Sequence, residues 1–127
     1  MKEDIGIGII DVYSQLELTQ CLESIPKDLQ KNIFLVSNTK NKSVLNVPYY
    51  RFEREVSFAS MRNRILSHFR LQNKKFLFLM FSNFAITENT FFEDAVKTAS
   101  NFGTWCMTGR SEEHTSELQS RVDISYA

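Results

Sequence analysis

Short apolar runs recur along the chain and predict the strands of a sheet. Residues 5–10 and 76–81 contain only apolar residues and glycine, which is typical of strands covered on both faces in a parallel sheet. Residues 33–36 form a shorter run of the same kind, and residues 104–107 begin a further strand. Residues 48–52 start with proline, which cannot donate to a strand ladder, and therefore predict a short edge strand.

Segments with helical spacing separate these strands. Ser14 stands three residues before Glu17, as in a capping box, and predicts the start of a helix that Pro26 ends. Residues 57–71 predict a second helix, and residues 90–102 predict a third. Strands and helices therefore alternate, which indicates an α/β layered fold with a mainly parallel sheet flanked by helices.

The apolar positions of the first two helices predict which side chains enter the core. Cys21 lies on the apolar face of the first helix, so we interpret it as a core thiol rather than a nucleophile. His68, beside the apolar stripe of the second helix, is interpreted as a structural or exposed imidazole. The core-facing side of that second helix is predicted to carry Phe58, Met61, Ile65 and Phe69.

The last 18 residues, 110–127, break the alternating pattern because their few apolar residues are scattered. Residues 110–120 resemble the in-frame translation of a sequencing-library adapter, which implies that the native sequence stops near Gly109. A native polar tail is the alternative. We therefore expect one partial domain over residues 1–109 and a non-native, disordered tail over 110–127, and assign no function to His114.

Composition narrows the class of protein. With 127 residues, 43% of them hydrophobic and 24% charged, the chain fits one small globular domain. Lysine plus arginine and aspartate plus glutamate are balanced at 15 each, which argues against binding to nucleic acid driven by charge. No apolar run is long enough for a transmembrane segment. Cys21 and Cys106 fit neither a metal spacing nor a disulfide framework, so we expect a reducing, cytoplasmic location.

Candidate binding residues follow the predicted parallel strands. Open parallel sheets bind ligands at the carboxyl ends of their strands. Those ends supply Asp-Val-Tyr-Ser at 11–14, Ser-Asn-Thr-Lys at 37–40 and Phe-Ser-Asn at 81–83. We expect these three turns to lie side by side along one rim.

The three turns resemble the nucleotide-sugar-binding half of family 2 glycosyltransferases, which have the Rossmann-like GT-A fold. The first strand of that family runs into Pro-Thr-Tyr-Asn, and residues 11–14 keep the tyrosine. The second runs into Val-Asp-Asn-Gly-Ser, and residues 36–39 keep the valine and asparagine but have serine for the acid. The Ala-x-x-Arg-Asn motif of the following helix is matched in full at 59–63.

The resemblance extends over residues 5–107, about half of a complete GT-A domain, so the fold is expected to be incomplete at its C-terminus. It implies that the full-length protein transfers sugar from a nucleotide-sugar donor to a glycan acceptor, and that this fragment is inactive. No catalytic residue is assigned. The candidates for binding the nucleotide sugar are Asp11, Tyr13, Ser37, Arg62, Asn63, Ser82 and Asn83.

The chain departs from the family where the family binds a metal. Family members hold Mn²⁺ or Mg²⁺ through an Asp-x-Asp motif after the fourth strand, because these cations prefer anionic oxygen ligands. Here the corresponding residues are Met-Phe-Ser at 80–82, followed by Asn83. All are neutral, so we interpret the motif as degenerate and expect no metal to bind in the family's way.

Each candidate also has a structural interpretation. Asp11 either contacts a ligand or holds a turn before the first helix, and Tyr13 either stacks on a base or packs against that helix. Arg62 either approaches a diphosphate or is one arginine on a polar helix face. Ser37 is interpreted mainly as a turn former.

Two other classes of function remain open. A non-catalytic binding or structural module on the same scaffold, a pseudoenzyme, explains the missing acids. A dinucleotide-binding or phospho-receiver domain fits less well. The glycines at 6 and 8 lie inside the strand rather than after it, and Asp11 lacks the second acid that a receiver needs.

Overall fold

The structure, a computed structural model, describes residues 2–102, 106–110 and 121–126. The strands and α-helices follow in the order β1 (Ile5–Asp11), α1 (Gln15–Ser24), β2 (Ile33–Ser37), β3 (Tyr49–Arg51), α2 (Phe58–Arg70), β4 (Phe76–Phe81), α3 (Phe91–Phe102), β5 (Cys106–Arg110) and β6 (Arg121–Tyr126). Short 3₁₀ turns cover Lys2–Asp4 and Lys27–Asn32. The predicted alternation of strands and helices is confirmed.

The strands form one sheet in the order β3-β2-β1-β4-β6-β5. The first four strands are parallel to one another, while β6 is antiparallel to both β4 and β5. The predicted α/β fold with a mainly parallel sheet is therefore confirmed. The short strand β3 lies at one edge, as the proline before it predicted.

The strand β6 departs from the disordered tail expected over residues 110–127. It pairs with β4, so that Val122 lies opposite Met80 and Ile124 lies opposite Phe78. Apolar residues at 122, 124 and 126 alternate with polar ones, and this period of two is the pattern of a strand. Residues 111–120 lie outside the described residues, so the adapter origin and the boundary at 109 stay predictions.

Helices cover the parallel strands on both faces. Successive side chains of a strand point to opposite faces, so β1 contributes to two clusters. Ile5, Ile7 and Ile9 pack with residues of α1 and α3, whereas Ile10 packs with Met61 and other buried residues of α2. The sheet thus separates α1 and α3 from α2.

Glycines in β1 allow α2 to lie close against the sheet. A Cβ atom at Gly8 would overlap the Cγ2 methyl of Ile65, and one at Gly6 would lie 2.9 Å from the Phe69 ring. In both cases the carbon atoms would be closer than van der Waals contact allows. The two glycines therefore have a packing role, which agrees with their position inside the strand.

The helix starts follow from capping side chains. The Ser14 hydroxyl accepts a hydrogen bond from the Glu17 amide, and the Glu17 carboxylate accepts one from the Ser14 amide, so the predicted capping box is confirmed. Ser57 caps α2 by accepting a bond from the Ser60 amide. Phe58 was predicted to face the core, but it is 54% exposed because it begins α2 at the rim of the sheet.

Candidate functional site

The three predicted turns lie side by side at the carboxyl edge of the parallel strands. Asp11 and Ser37 are register partners of β1 and β2, and the Asn38 amide donates to the Asp11 carbonyl at 3.4 Å. On the other side of β1, the Ser82 amide donates to the Ile10 carbonyl at 2.9 Å. The strand order reverses at β1, since β2 and β4 flank it, and ligands of open α/β sheets bind at such a point.

The Asp11 side chain is fully buried and engaged by the loop after β2. Its Oδ2 accepts hydrogen bonds of 2.9 Å from both the Ser37 and the Thr39 hydroxyl groups. Its Oδ1 accepts one of 3.0 Å from the Asn41 amide group, which also donates to the Tyr13 carbonyl. These bonds indicate a structural role for Asp11. That role is to hold the loop after β2, rather than the turn before α1.

Ser37 takes part in the same network and is 1% exposed. Its hydroxyl donates to Asp11 and accepts a bond of 3.0 Å from the Thr39 amide. An aspartate at position 37 would place a second carboxylate against Asp11, and adjacent like charges repel each other. A serine at 37 instead donates a hydrogen bond to the buried Asp11. Its bond from the Thr39 amide agrees with the interpretation of Ser37 as a turn former.

A cavity of about 580 Å³, here called the edge cavity, opens between the turns and the start of α2. Tyr13 and Phe58 are its exposed aromatic residues, at 40% and 54% exposure. Both rings meet Phe81 edge-on, with centroids at 6.4 Å and 5.2 Å from it. The lining comprises Val12, Tyr13, Asn38, Glu55, Val56, Ser57 and Phe58.

A second cavity of about 430 Å³, here called the α2 cavity, lies between α2 and the ends of β1 and β4. It brings together two more of the predicted residues, Arg62 and Asn63, which are both exposed. Phe58 lines both cavities, so they meet at the first turn of α2. The other lining residues are Ile10, Ala59, Leu66, Leu79, Met80 and Phe81.

The last two predicted residues lie at the end of β4. Ser82 is fully buried, and its hydroxyl has no hydrogen-bond partner among the described residues. The side-chain carbonyl of Asn83 is also buried and without a partner there. A buried polar atom without a partner costs free energy, so these two oxygens stand out from the satisfied network around Asp11.

The seven predicted residues are therefore distributed over three places. Tyr13 lines the edge cavity, and Arg62 and Asn63 line the α2 cavity. The other four lie at the strand ends, where Asp11, Ser37 and Ser82 are buried and Asn83 is half-buried. Sequence reasoning included Thr39 only as part of the turn at 37–40, and it missed the contributions of Asn41, Glu55 and Phe58 to this edge. The polar run after β2 was the available signal for Thr39 and Asn41, because such residues bond readily to a nearby acid.

Two ionisable side chains of the helices, Cys21 on α1 and His68 on α2, are surrounded by packed residues. Burial, and then the negative charge of Asp11, raises the pKa of the Cys21 thiol to about 12, which suits a core thiol rather than a nucleophile. Burial, and then the charge of Arg64, lowers the pKa of His68. The His68 ring stacks on Phe34 with centroids 3.9 Å apart, so its role is also one of packing.

The residues at the end of β4 do not fit the divalent cation of the GT-A family. Ser82 and Asn83 offer only neutral oxygens, whereas Mg²⁺ and Mn²⁺ prefer carboxylates. Both carboxylate oxygens of Asp11 already accept bonds from the loop after β2. Across the described part of the chain, no three His, Cys, Asp or Glu side chains come together as metal ligands would.

Comparison with known proteins supports the fold. A crystal structure of S. aureus TarS, covering its residues 1–349, matches 85% of this chain with a TM-score of 0.56 and 15% sequence identity. TarS is a GT-A-type glycosyltransferase, so the chain has a glycosyltransferase-like α/β fold. The chain spans 38% of the TarS chain in that structure.

No protein-family model matches the chain, and neither does any curated protein. The likeness to TarS is one of fold and does not define the chemistry of this edge. Within the described ranges, no helix is long and apolar enough to cross a membrane.

Proposed function

We propose that this chain is the nucleotide-sugar-binding half of a glycosyltransferase-like protein, and that the edge cavity receives the nucleoside of the donor. The observation that supports this most is the position of the edge cavity. It lies at the reversal of strand order, where turns after β1 and β2 meet the start of α2. Ligand sites of this fold class occur at that point.

The side chains of the edge cavity suit a nucleoside. Tyr13 and Phe58 offer exposed aromatic rings, and stacking on an aromatic ring contributes about 1–3 kcal/mol per base. The Glu55 carboxylate and the Asn38 side chain line the same cavity and can bond to ribose hydroxyl groups or base edges. Its volume of about 580 Å³ lies within the usual range of small-molecule sites.

The start of α2 suits the phosphates that follow the nucleoside. The amino end of a helix carries a partial positive charge and unpaired amide groups, which favour anions. The sequence of α2 contains arginines but no acidic residue. The nucleotide-sugar donor is thus proposed to run from the edge cavity across the first turn of α2, with the sugar directed to a glycan acceptor.

The test is calorimetry of the full chain with UDP, GDP, ADP and UDP-sugars. We expect a dissociation constant in the micromolar to millimolar range for at least one nucleotide. Tyr13→Ala is expected to weaken binding by about 5- to 100-fold, the equivalent of one lost stacking contact. Tyr49→Ala is the matched control, since Tyr49 is an exposed tyrosine on β3 outside the edge cavity. No binding, or equal effects of the two variants, would reject the proposal.

The second candidate, a non-catalytic module on the same scaffold, is favoured by the neutral end of β4. Met80 and Ser82 stand where the resemblance places the two acids of Asp-x-Asp, and the neutral Asn83 follows. In that case the chain binds nucleotide or a partner without releasing or transferring sugar. Because this half is expected to be inactive on its own in either case, the two candidates are separated by incubating the complete protein with UDP-sugars and measuring free UDP. Release of UDP excludes the non-catalytic module, and its absence argues against the glycosyltransferase.

A further inference from the structure

We infer that Arg62, rather than a divalent cation, neutralises the donor diphosphate in this chain. The inference rests on the proposed function, since it concerns the phosphates of the same donor. It starts from the mismatch at the end of β4. The cation of the family needs carboxylates, and this chain has Ser82 and Asn83 at the corresponding turn.

A positive side chain of α2 shares a cavity with the end of β4. Arg62 lines the α2 cavity together with Met80 and Phe81, the last residues of β4. It is exposed, and it forms no ion pair with the acidic side chains of the described segments. A guanidinium with free donors binds phosphate oxygens through two parallel hydrogen bonds.

The position of Arg62 also agrees with the path of the donor. Phe58 lines both cavities, and Arg62 follows it by four residues, so the two side chains lie on the same side of α2. A nucleoside in the edge cavity therefore has its phosphates at the first turn of α2, with Arg62 one turn further along.

The other arginines of α2 are less suited to this role. Arg64 is half-buried, and its guanidinium lies over the Tyr50 ring at 4.7 Å and the Phe34 ring at 5.3 Å. Arg70 ends the helix, two turns beyond Arg62, and lines neither cavity. Arg70 therefore provides a matched control with the same side chain on the same helix.

The experiment measures binding of UDP and of uridine to the full chain, in EDTA and in Mn²⁺. We expect Mn²⁺ to change the UDP dissociation constant by less than about twofold, because no carboxylate pair holds it. Arg62→Gln is expected to weaken UDP by about 10-fold or more, as loss of a charged hydrogen-bond donor does. Uridine affinity should be unchanged, and Arg70→Gln should behave as the parent chain.

A second measurement uses Mn²⁺ alone. The electron paramagnetic resonance signal of free Mn²⁺ is expected to stay constant as protein is added. A decrease of the UDP dissociation constant by about 10-fold or more on addition of Mn²⁺ would overturn the inference. Equal effects of the Arg62 and Arg70 variants on UDP binding would also overturn it. Absence of nucleotide binding under every condition would instead reject the proposed function itself, so the two failures are distinguishable.

Discussion

Two buried serines, at the ends of the two strands that flank β1, offer a direct test of how this edge is stabilised. Ser37 and Ser82 are 1% and 0% exposed, and each ends or directly follows a central parallel strand. The Ser37 hydroxyl donates to Asp11 and accepts from Thr39, whereas the Ser82 hydroxyl has no partner in the described part of the chain. The same substitution to alanine should therefore have opposite consequences.

The magnitudes follow from these hydrogen bonds. Ser37→Ala removes a bond to a carboxylate, worth about 1.5–3 kcal/mol, and a neutral bond worth about 0.5–1.5 kcal/mol. We expect a loss of about 2–4 kcal/mol in the free energy of unfolding. Ser82→Ala removes a hydroxyl that is buried without a hydrogen bond, and burying such a group costs free energy. We therefore expect the free energy of unfolding to stay unchanged or to rise by up to about 1 kcal/mol.

The assay is urea unfolding of the parent chain and both variants, with the slopes compared to exclude a change in the unfolded state. The expected result is a lower midpoint for Ser37→Ala and an unchanged or higher midpoint for Ser82→Ala. Equal losses in the two variants would refute the reasoning, and so would a Ser37→Ala loss below about 0.5 kcal/mol, the size of an ordinary surface change.

Three further predictions concern packing and ionisation. Gly8→Ala should lower the free energy of unfolding by about 1–3 kcal/mol in urea titrations, because the added methyl overlaps Ile65. The buried Cys21 thiol has its pKa raised from 9.0 to about 12, so the unfolded chain ionises first. The contribution of Cys21 to the free energy of unfolding should be complete below pH 9 and should be lost as the pH rises towards 12. Cys21→Ala should lack this part of the decline. In NMR titration His68 should show a pKa below 6.5, and Arg64→Gln should raise it, since burial and then the Arg64 charge lower that pKa.

Local signals were sufficient for much of the fold. The uninterrupted apolar runs predicted β1 and β4 because both faces of these strands are covered by helices or by the core. The capping box at Ser14 fixed the start of α1, and Pro26 its end, through interactions within a few residues. Such features depend on neighbouring positions only, and for that reason a single sequence reveals them.

Contacts between distant residues were not predictable in the same way. The donors to Asp11 lie 26 to 30 residues along the chain, so the sequence left the role of Asp11 open between ligand and structure. Phe58 has the spacing of a core residue, yet the sheet ends beside it and leaves it exposed. β6 was missed because its alternating residues were taken with the polar stretch before them, and only pairing with β4 reveals the strand.

The candidate site, too, was predictable only in part. The order of the turns and the topology rule predicted that residues 11–14, 37–40 and 81–83 share one edge, and the register places them there. Which side chains face solvent depends on the loop after β2 and on the first turn of α2. Their arrangement exposes Tyr13 and Arg62 and buries Asp11 and Ser37, a distinction that residue type alone does not make.

Mapping the UDP-binding surface by NMR, with the labelled full chain in EDTA, tests the central claim most directly. The account predicts that amide shifts concentrate at residues 12–14, at Asn38 and along residues 55–63, around the edge cavity and the first turns of α2. Shifts confined to the amino ends of the strands, or no shifts at millimolar UDP, would contradict it.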